Sequence, residues 1–297
     1  MLDYRLQVFH KVASLLSFTQ AARELYISQP AVTRHIKELE NHWEIRLFQR
    51  QGNQIHLTNA GEIAYRQVGE ILKLHKELEF ELGNLKHKFS GLLRIGASSS
   101  ISQYLIPTVL AAFHQRFPDI ELSLDNGNSR EIEQKIIRGD IDLGIVESHF
   151  SSSDLQYKNW MPDQLVVVAS TEGKLAKKEK LNKSELTTVP IVLREPGSGT
   201  LEVIEQSLRK HGITMNNLNI LLHLGSTESI KNFLETSDAI GIVSEKSIQK
   251  ELQLSRLKTL EIGKIQFERS FRFVYPHGPL SGLSELFVNF ASRHYNQ

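Results

Sequence analysis

A change of hydrophobic period near Ser90-Gly91 divides the chain and constrains its fold more than any other feature. Before it, apolar residues recur every three or four positions, the spacing that gathers them on one face of a helix. After it, short apolar runs alternate with amphipathic stretches: a strand at 92–97, a helix to Phe117, a strand at 120–124, a helix to Arg138 and a strand at 141–146. That βαβαβ order specifies parallel strands with crossover helices. A second series follows, with strands at 165–169 and 191–193, a helix from Thr200, a strand at 218–224, a helix from Ser226 and a strand at 239–243. A strand at 271–275 and a helix from Gly282 to Tyr295 are expected to return to the first series. Two α/β lobes joined near residues 161–165 and 267–271 would leave a cleft between them.

The N-terminal stretch reads as short helices and a hairpin. A helix from about residue 3 to 15 carries Leu6, Phe9, Val12, Ala13 and Leu16 on one face. Ser17-Phe18-Thr19-Gln20 has capping-box spacing and opens a short helix with Ala21, Ala22 and Leu25 inward. After a tight turn at Tyr26-Ile27, Ser28-Gln29-Pro30-Ala31 starts a further helix: serine caps it, and proline fits a first turn that needs no N–H from it. Val32, Ile36 and Leu39 point one way along this helix, and Thr33, Arg34 and Lys37 another. Gln51-Gly52-Asn53-Gln54 forms a hairpin tip between Leu47-Phe48 and Ile55-His56-Leu57. Thr58 then caps a long helix striped by Gln67, Ile71, Leu74, Leu78, Leu82, Leu85 and Phe89. Such a stripe suits pairing with a second copy; within one copy it would have to lie along the larger domain.

Two short helices joined by a tight turn present the second to a major groove. Gln29 and Arg34 have the hydrogen-bonding ends that address adenine and guanine edges, Thr33 adds a hydroxyl, and Arg50 beside the hairpin suits a phosphate or minor-groove contact. The helix pattern alone fits a small helical bundle with a solvated basic face equally well. Charge does not separate the two, since the formal net charge is +1 and residues 1–58 hold seven Lys/Arg against five Asp/Glu.

Ser98-Ser99-Ser100 and Gly197-Ser198-Gly199-Thr200 each stand where a strand turns into a helix, one in each lobe. Hydroxyls beside the positive end of a helix suit an anion, and the glycines let a ligand approach the backbone. Ordinary helix capping explains a single such turn; two at equivalent places point to ligand binding.

The segment 1–61 resembles the LysR-type transcriptional regulators at ungapped spacing. The matching residues are Phe18, Ala21-Ala22, Leu25, Ser28-Gln29-Pro30-Ala31-Val32-Thr33, Ile36, Leu39-Glu40, Leu47-Phe48, Arg50, Leu57-Thr58 and Ala60-Gly61. The resemblance implies an α+β chain: a winged helix-turn-helix over 1–58, a linker helix over 59–89, and an effector domain over 90–297 resembling type 2 periplasmic binding proteins. Lobe I would take about 92–163 and 268–297, and lobe II about 164–267. Ser28, Gln29, Pro30, Thr33, Arg34, Lys37 and Arg50 would form the face toward double-stranded DNA. Ser98, Ser99, Ser100, Glu147, Gly197, Ser198 and Thr200 would bind a small-molecule effector, anionic or amino-acid-like. The stretch 194–200 looks like that of regulators of sulfur assimilation and of carbon fixation. Glu147 would repel a bare anion unless Arg194 offsets it, the ligand carries an amine, or Glu147 faces solvent. A homodimer through the linker helix and a homotetramer of two dimers are implied, with RNA polymerase a further candidate partner. Trp43-Glu44 stand where the family usually has Leu-Gly, so the turn before the wing is expected to differ.

Other classes fit less well. The 12 histidines include no HExxH pair, and no nucleophile elbow, Walker A motif or Gly-x-Gly-x-x-Gly occurs, so neither catalysis nor a cofactor or metal is expected. The absence of cysteine excludes disulfides, zinc-thiolate sites and thiol catalysis. No apolar run is long enough to cross a bilayer, and Asp3 and Arg5 follow Met1 where a leader would be apolar, so a cytoplasmic location without membrane contact is expected. A free-standing solute-binding protein has no use for residues 1–89, and a nonspecific architectural DNA protein leaves the cleft unexplained.

Overall fold

Residues 3–51, 54–85, 89–147, 151–280 and 282–295 are described in a computed structural model of the chain. It divides into two units, Met1–Phe89 and Ser90–Gln297.

In the first unit, side-chain oxygens start three helices. Asp3 accepts from the Arg5 N–H at 3.0 Å to open α1 (Tyr4–Leu15), Ser17 from Gln20 at 3.2 Å to open α2 (Phe18–Glu24), and Ser28 from Ala31 at 3.3 Å to open α3 (Gln29–Trp43). Each satisfies a first-turn donor that has no partner inside its helix. The apolar faces then meet through Val8, Phe9, Val12, Ala21, Ala22, Val32, Ile36 and Leu39, with Leu47 and Val68 closing the cluster. Leu16 departs from the expected stripe. It lies past the end of α1 in a left-handed conformation (φ 47°) and is exposed, while Val8 is buried instead.

The hairpin pairs β1 (Phe48–Gln51) with β2 (Gln54–Leu57), and its expected tip, Gly52-Asn53, lies outside the described residues. Its position is set from α3. The buried Glu40 carboxylate accepts from the backbone N–H of Leu47 at 2.8 Å and of Phe48 at 3.3 Å, and from Arg46 Nη1 at 3.2 Å. Glu44 adopts the left-handed conformation (φ 53°, ψ 30°) that glycine would take, and the Ile45 N–H closes the helix end on the Glu40 carbonyl at 3.1 Å. The expectation that this turn would differ is therefore corrected. The turn is kept, at a conformational cost of about 1–2 kcal/mol.

Thr58 precedes α4 (Asn59–Leu85), accepting from the Gly61 N–H at 3.0 Å and donating to the Arg46 carbonyl at 2.7 Å. A Cβ on Gly61 would stand 2.1 Å from the Leu47 carbonyl oxygen, so only glycine lets α4 start this close to the hairpin. Farther along, Ile71, Leu74, Leu78 and Leu82 are 42–61% exposed. The Leu85 side chain and residues 86–88 lie outside the described residues.

The second unit is built on one sheet. Its first half runs β3 (Gly91–Ser98), α5 (Ser99–Tyr104), α6 (Ile106–Arg116), β4 (Ile120–Gly127), α7 (Ser129–Ile137) and β5 (Leu143–Val146), with the three strands parallel. The single helix expected before Phe117 is two, broken at Leu105 just before Ile106-Pro107, because proline lacks the N–H a helix interior requires. The chain then crosses in β6 (Leu155–Ser170) to β7 (Lys180–Leu181), α8 (Lys183–Thr188), β8 (Pro190–Arg194), α9 (Gly199–Lys210), β9 (Asn219–Leu224), α10 (Thr227–Glu235), β10 (Ile240–Ser244), α11 (Gln249–Gln253) and β11 (Leu257–Ile262). It returns in β12 (Phe267–Pro276) to α12 (Gly282–His294). Strand order is β4-β3-β5-β12-β6-β10-β8-β9, with β11 also on β6. β6 and β12 pair antiparallel from Leu155↔Pro276 to Leu165↔Phe267, so each belongs to both halves. Both crossing strands are longer than the runs read at 165–169 and 271–275, whose polar upstream residues hid them.

Glu44→Gly relieves the left-handed strain without touching the core. It is expected to raise the unfolding free energy of the first unit by about 1 kcal/mol, read as a higher urea midpoint at unchanged slope.

Candidate functional site

Two polar surfaces emerge, one in each unit. On α3, Val32, Ile36 and Leu39 are buried, whereas Gln29, Pro30, Arg34 and Lys37 are exposed and Thr33 is half-buried. Ser28 is exposed and occupied as the cap. Thr33 Oγ1 donates to the Gln29 carbonyl at 3.1 Å and accepts from Gln29 Nε2 at 3.3 Å, and Arg34 Nε stands 3.7 Å from Glu38. Arg50 is exposed on β1, opposite Ile55. Tyr26, in a left-handed conformation at the α2–α3 turn, is 95% exposed and was not singled out from the sequence.

In the second unit, polar side chains collect where the parallel strands end. Ser98 stands before α5 but does not cap it; its hydroxyl donates to Glu147 Oε2 instead. Glu147 is 1% exposed, so it does not face solvent. Its Oε1 accepts from Thr200 Oγ1 at 3.3 Å and lies 3.5 Å from Arg269 Nη1. Arg269 also donates to Thr200 Oγ1 at 2.8 Å and, through Nε, to Asp163 at 2.6 Å, whose other oxygen accepts from Ser244 at 2.7 Å. Arg194 was one candidate to offset Glu147, and this is corrected. It forks onto Glu195 at 2.8 and 3.0 Å and reaches Ser99 Oγ at 3.2 Å, while Arg269 faces Glu147.

The remaining expected residues lie at the same strand ends. Ser100 Oγ lies 3.2 Å from Thr227 Oγ1. Gly197 has φ +91°, and its carbonyl accepts from the Arg130 N–H at 3.3 Å. Ser198 precedes α9 without capping it, and its buried hydroxyl has no hydrogen-bond partner. Ser129 Oγ, Arg194 Nη1 and Arg269 Nη2 are also buried without a partner. Beside them, the Tyr104 hydroxyl on α5 donates to Glu228 on α10, and Lys231, 3% exposed, stands 2.8 Å from Glu228 and 2.9 Å from Glu251. Burial and the bond to Glu228 push the Tyr104 hydroxyl well above the usual phenol value. Burial opposes ionisation of Glu228, but the hydrogen bonds from Lys231 and Tyr104 outweigh it and hold the carboxyl below 4.5.

A family model described as the LysR substrate binding domain matches residues 86–296, and one described as the bacterial regulatory helix-turn-helix protein, lysR family, matches residues 4–62. The chain belongs to the LysR family. It is a transcriptional regulator with an effector-binding domain and not an enzyme. A probable RuBisCO transcriptional regulator of Thalassiosira pseudonana is 32% identical over 275 residues, covering 91% of this chain and 90% of that protein. Among solved structures, a full-length OxyR variant from Pseudomonas aeruginosa superposes with a TM-score of 0.74 over 99% of this chain and 94% of that one; at 16% identity it speaks to fold alone. The regulatory domain of Synechocystis PCC6803 CcmR in complex with 2-PG has a TM-score of 0.62 and 28% identity, covering 69% of this chain and 97% of that one. Among the described residues no helix is long and apolar enough to cross a membrane.

Sequence reading of this LysR-family chain missed Ser129, Thr227, Asp163 and Arg269. Ser129 and Thr227 repeat the strand-to-helix hydroxyl pattern of Ser98–Ser100 and Ser198–Thr200, so that signal was present. Asp163 and Arg269 lie 106 positions apart on separate strands, and nothing local joins them.

The depressed Glu228 carboxyl contributes stability that is present above its ordinary value of 4.5 and lost as pH falls through its folded value. In Glu228→Gln, the melting temperature is expected to be lower at neutral pH and to decline less steeply below pH 4.5 than in the parent.

Proposed function

We propose that this chain binds duplex DNA sequence-specifically through α3 and is controlled by a small metabolite bound in the crevice of its effector domain. The observation that carries the first half is the two-sided character of α3: its apolar residues fill the core and leave Gln29, Arg34 and Lys37 in solvent. Arginine reads guanine and glutamine reads adenine with paired hydrogen bonds, so Arg34 and Gln29 are assigned to base edges. Thr33 shapes the start of this face, Ser28 and Pro30 hold the helix N-terminus near the backbone, and Lys37 and Arg50 contact phosphate.

The second half rests on the buried polar cluster at the strand ends. Ser98, Ser99, Ser100, Glu147, Gly197, Ser198 and Thr200 converge there with Arg194 and Arg269. CcmR's regulatory domain, in complex with 2-PG, supports a small-molecule effector, and the buried arginines and hydroxyls favour one that is anionic or amino-acid-like. The working division is residues 1–58 for DNA, 59–89 for dimerisation and 90–297 for the effector, with lobe I near 92–163 and 268–297 and lobe II near 164–267. The exposed Ile71, Leu74, Leu78 and Leu82 support α4 pairing with a second copy, since contact would remove these side chains from water. Two dimers then form a tetramer, and the ligand acts by favouring one packing of the lobes and so one spacing of the DNA-binding units. RNA polymerase is the natural downstream contact, and the cytoplasm the natural location.

Two measurements test this. Arg34→Ala is expected to weaken binding to the chain's own promoter region by about 1–3 kcal/mol in fluorescence anisotropy and to relax preference at one base position. An equal loss on every sequence would reassign Arg34 to phosphate. Leu78→Asp is expected to shift the chain toward monomer in analytical ultracentrifugation while leaving its circular dichroism unchanged.

A further inference from the structure

Resting on the effector-site reading above, we infer that the effector is an oxyanion bearing hydrogen-bond acceptors and no ammonium group, gripped by Arg194, Arg269, Ser129 and Ser198. The argument is an inventory of donors and acceptors. Three carboxylates, Glu147, Asp163 and Glu195, touch these arginines, and every one of their oxygens already accepts from the protein. Glu147 accepts from Ser98 and Thr200, Asp163 from Ser244 and Arg269, and Glu195 twice from Arg194. Four atoms of this cluster have no partner: the donors Arg194 Nη1 and Arg269 Nη2, and the hydroxyls Ser129 Oγ and Ser198 Oγ, which can donate or accept. The one unpartnered buried carboxylate oxygen among the described residues, Glu251 Oε2, belongs to a carboxylate already held by Lys231. The two arginines and two serines are each at most 3% exposed. A guanidinium nitrogen only donates, so its missing partner is an acceptor. An ammonium brings three further donors and meets no free oxygen on Glu147, Asp163 or Glu195.

The local backbone points the same way. Ser198 stands at the N-terminus of the 12-residue α9 without bonding to its first turn, and Ser129 is the first residue of α7. Both hydroxyls therefore stand at positive helix ends. Formal charge would argue otherwise, because the three carboxylates outnumber the two guanidiniums. Each carboxylate, however, lies against a guanidinium: Glu195 on Arg194, and Asp163 and Glu147 both on Arg269. Selection then follows the directed, unpaired N–H and O–H groups rather than the sum of charges. This also resolves how Glu147 coexists with an anion: its oxygens are turned to Ser98, Thr200 and Arg269.

The test is calorimetric titration of the full chain with inorganic phosphate, sulfate, oxalate and malonate, set against glycine, β-alanine and serine. At least one oxyanion is expected to bind saturably and raise the melting temperature, with the amino acids inert at the same concentrations. The source, phosphate-like or carboxylate-like, is read from which arm binds more tightly. Ser129→Ala and Ser198→Ala are expected to weaken that oxyanion about tenfold each. Neither is expected to lower the melting temperature of the unliganded protein, because the hydroxyl removed has no partner there. A hydroxyl serving only the fold would give the reverse pair of results and overturn the assignment. An amino acid that binds more tightly than every oxyanion, and is weakened by Ser198→Ala, overturns the inference while leaving the crevice as the effector site. Oxyanion binding indifferent to both serine variants overturns the inference and the effector-site reading together. Absence of binding by every oxyanion also overturns the inference.

Discussion

Asp163 and Arg269 face each other directly across the antiparallel pair of β6 and β12, and this buried ion pair organises the effector domain. The two strands are the only ones shared by both halves of the sheet among the described residues, so a contact between them sits where the halves join. Two charges out of water are held there by geometry: 2.6 Å from Arg269 Nε to Asp163, with Ser244 on the second oxygen. Removing either partner would leave an uncompensated buried charge, at a cost of about 3–5 kcal/mol. The fixed guanidinium then reaches Thr200 and Glu147, and through Glu147 it reaches Ser98. Residues from β3, β6, α9, β10 and β12, with Glu147 just past β5, thus share one hydrogen-bonded network.

The DNA-binding unit uses a buried carboxylate in a similar way. Glu40 on α3 takes the first N–H groups of the hairpin, so the helix that carries Gln29 and Arg34 and the strand that carries Arg50 are fixed to one another. Gly61 and Thr58 fasten α4 to the same turn, at Leu47 and Arg46. The left-handed Glu44 is strained locally, and the bonds of Glu40 and Ile45 around it hold it in place. The residues proposed to contact DNA are in this way carried by backbone that has little freedom to drift.

Much of this was legible from local pattern. Ser17, Ser28 and Thr58 mark helix starts because capping involves only neighbouring residues. The βαβ order was readable because its buried strands are continuous apolar runs. Ser98–Ser100 and Ser198–Thr200 were recognisable as strand-to-helix turns for the same local reason. Their roles were not. Ser98 and Ser198 stand at cap positions without capping; Ser98 turns to Glu147, and the Ser198 hydroxyl has no partner.

Family, helix-turn-helix, the order of strands and helices, and the hydroxyl-bearing turns were all readable along the chain. These follow from spacings of a few residues, where the chain's own stereochemistry decides. Which charge answers which was settled by folding alone. Arg194 lies beside Glu195 and turns to it, while Arg269 comes from 122 positions beyond Glu147 to stand 3.5 Å away. Pairing between distant strands is set by sheet register, and electrostatic partners are chosen by proximity in space, which no local pattern encodes.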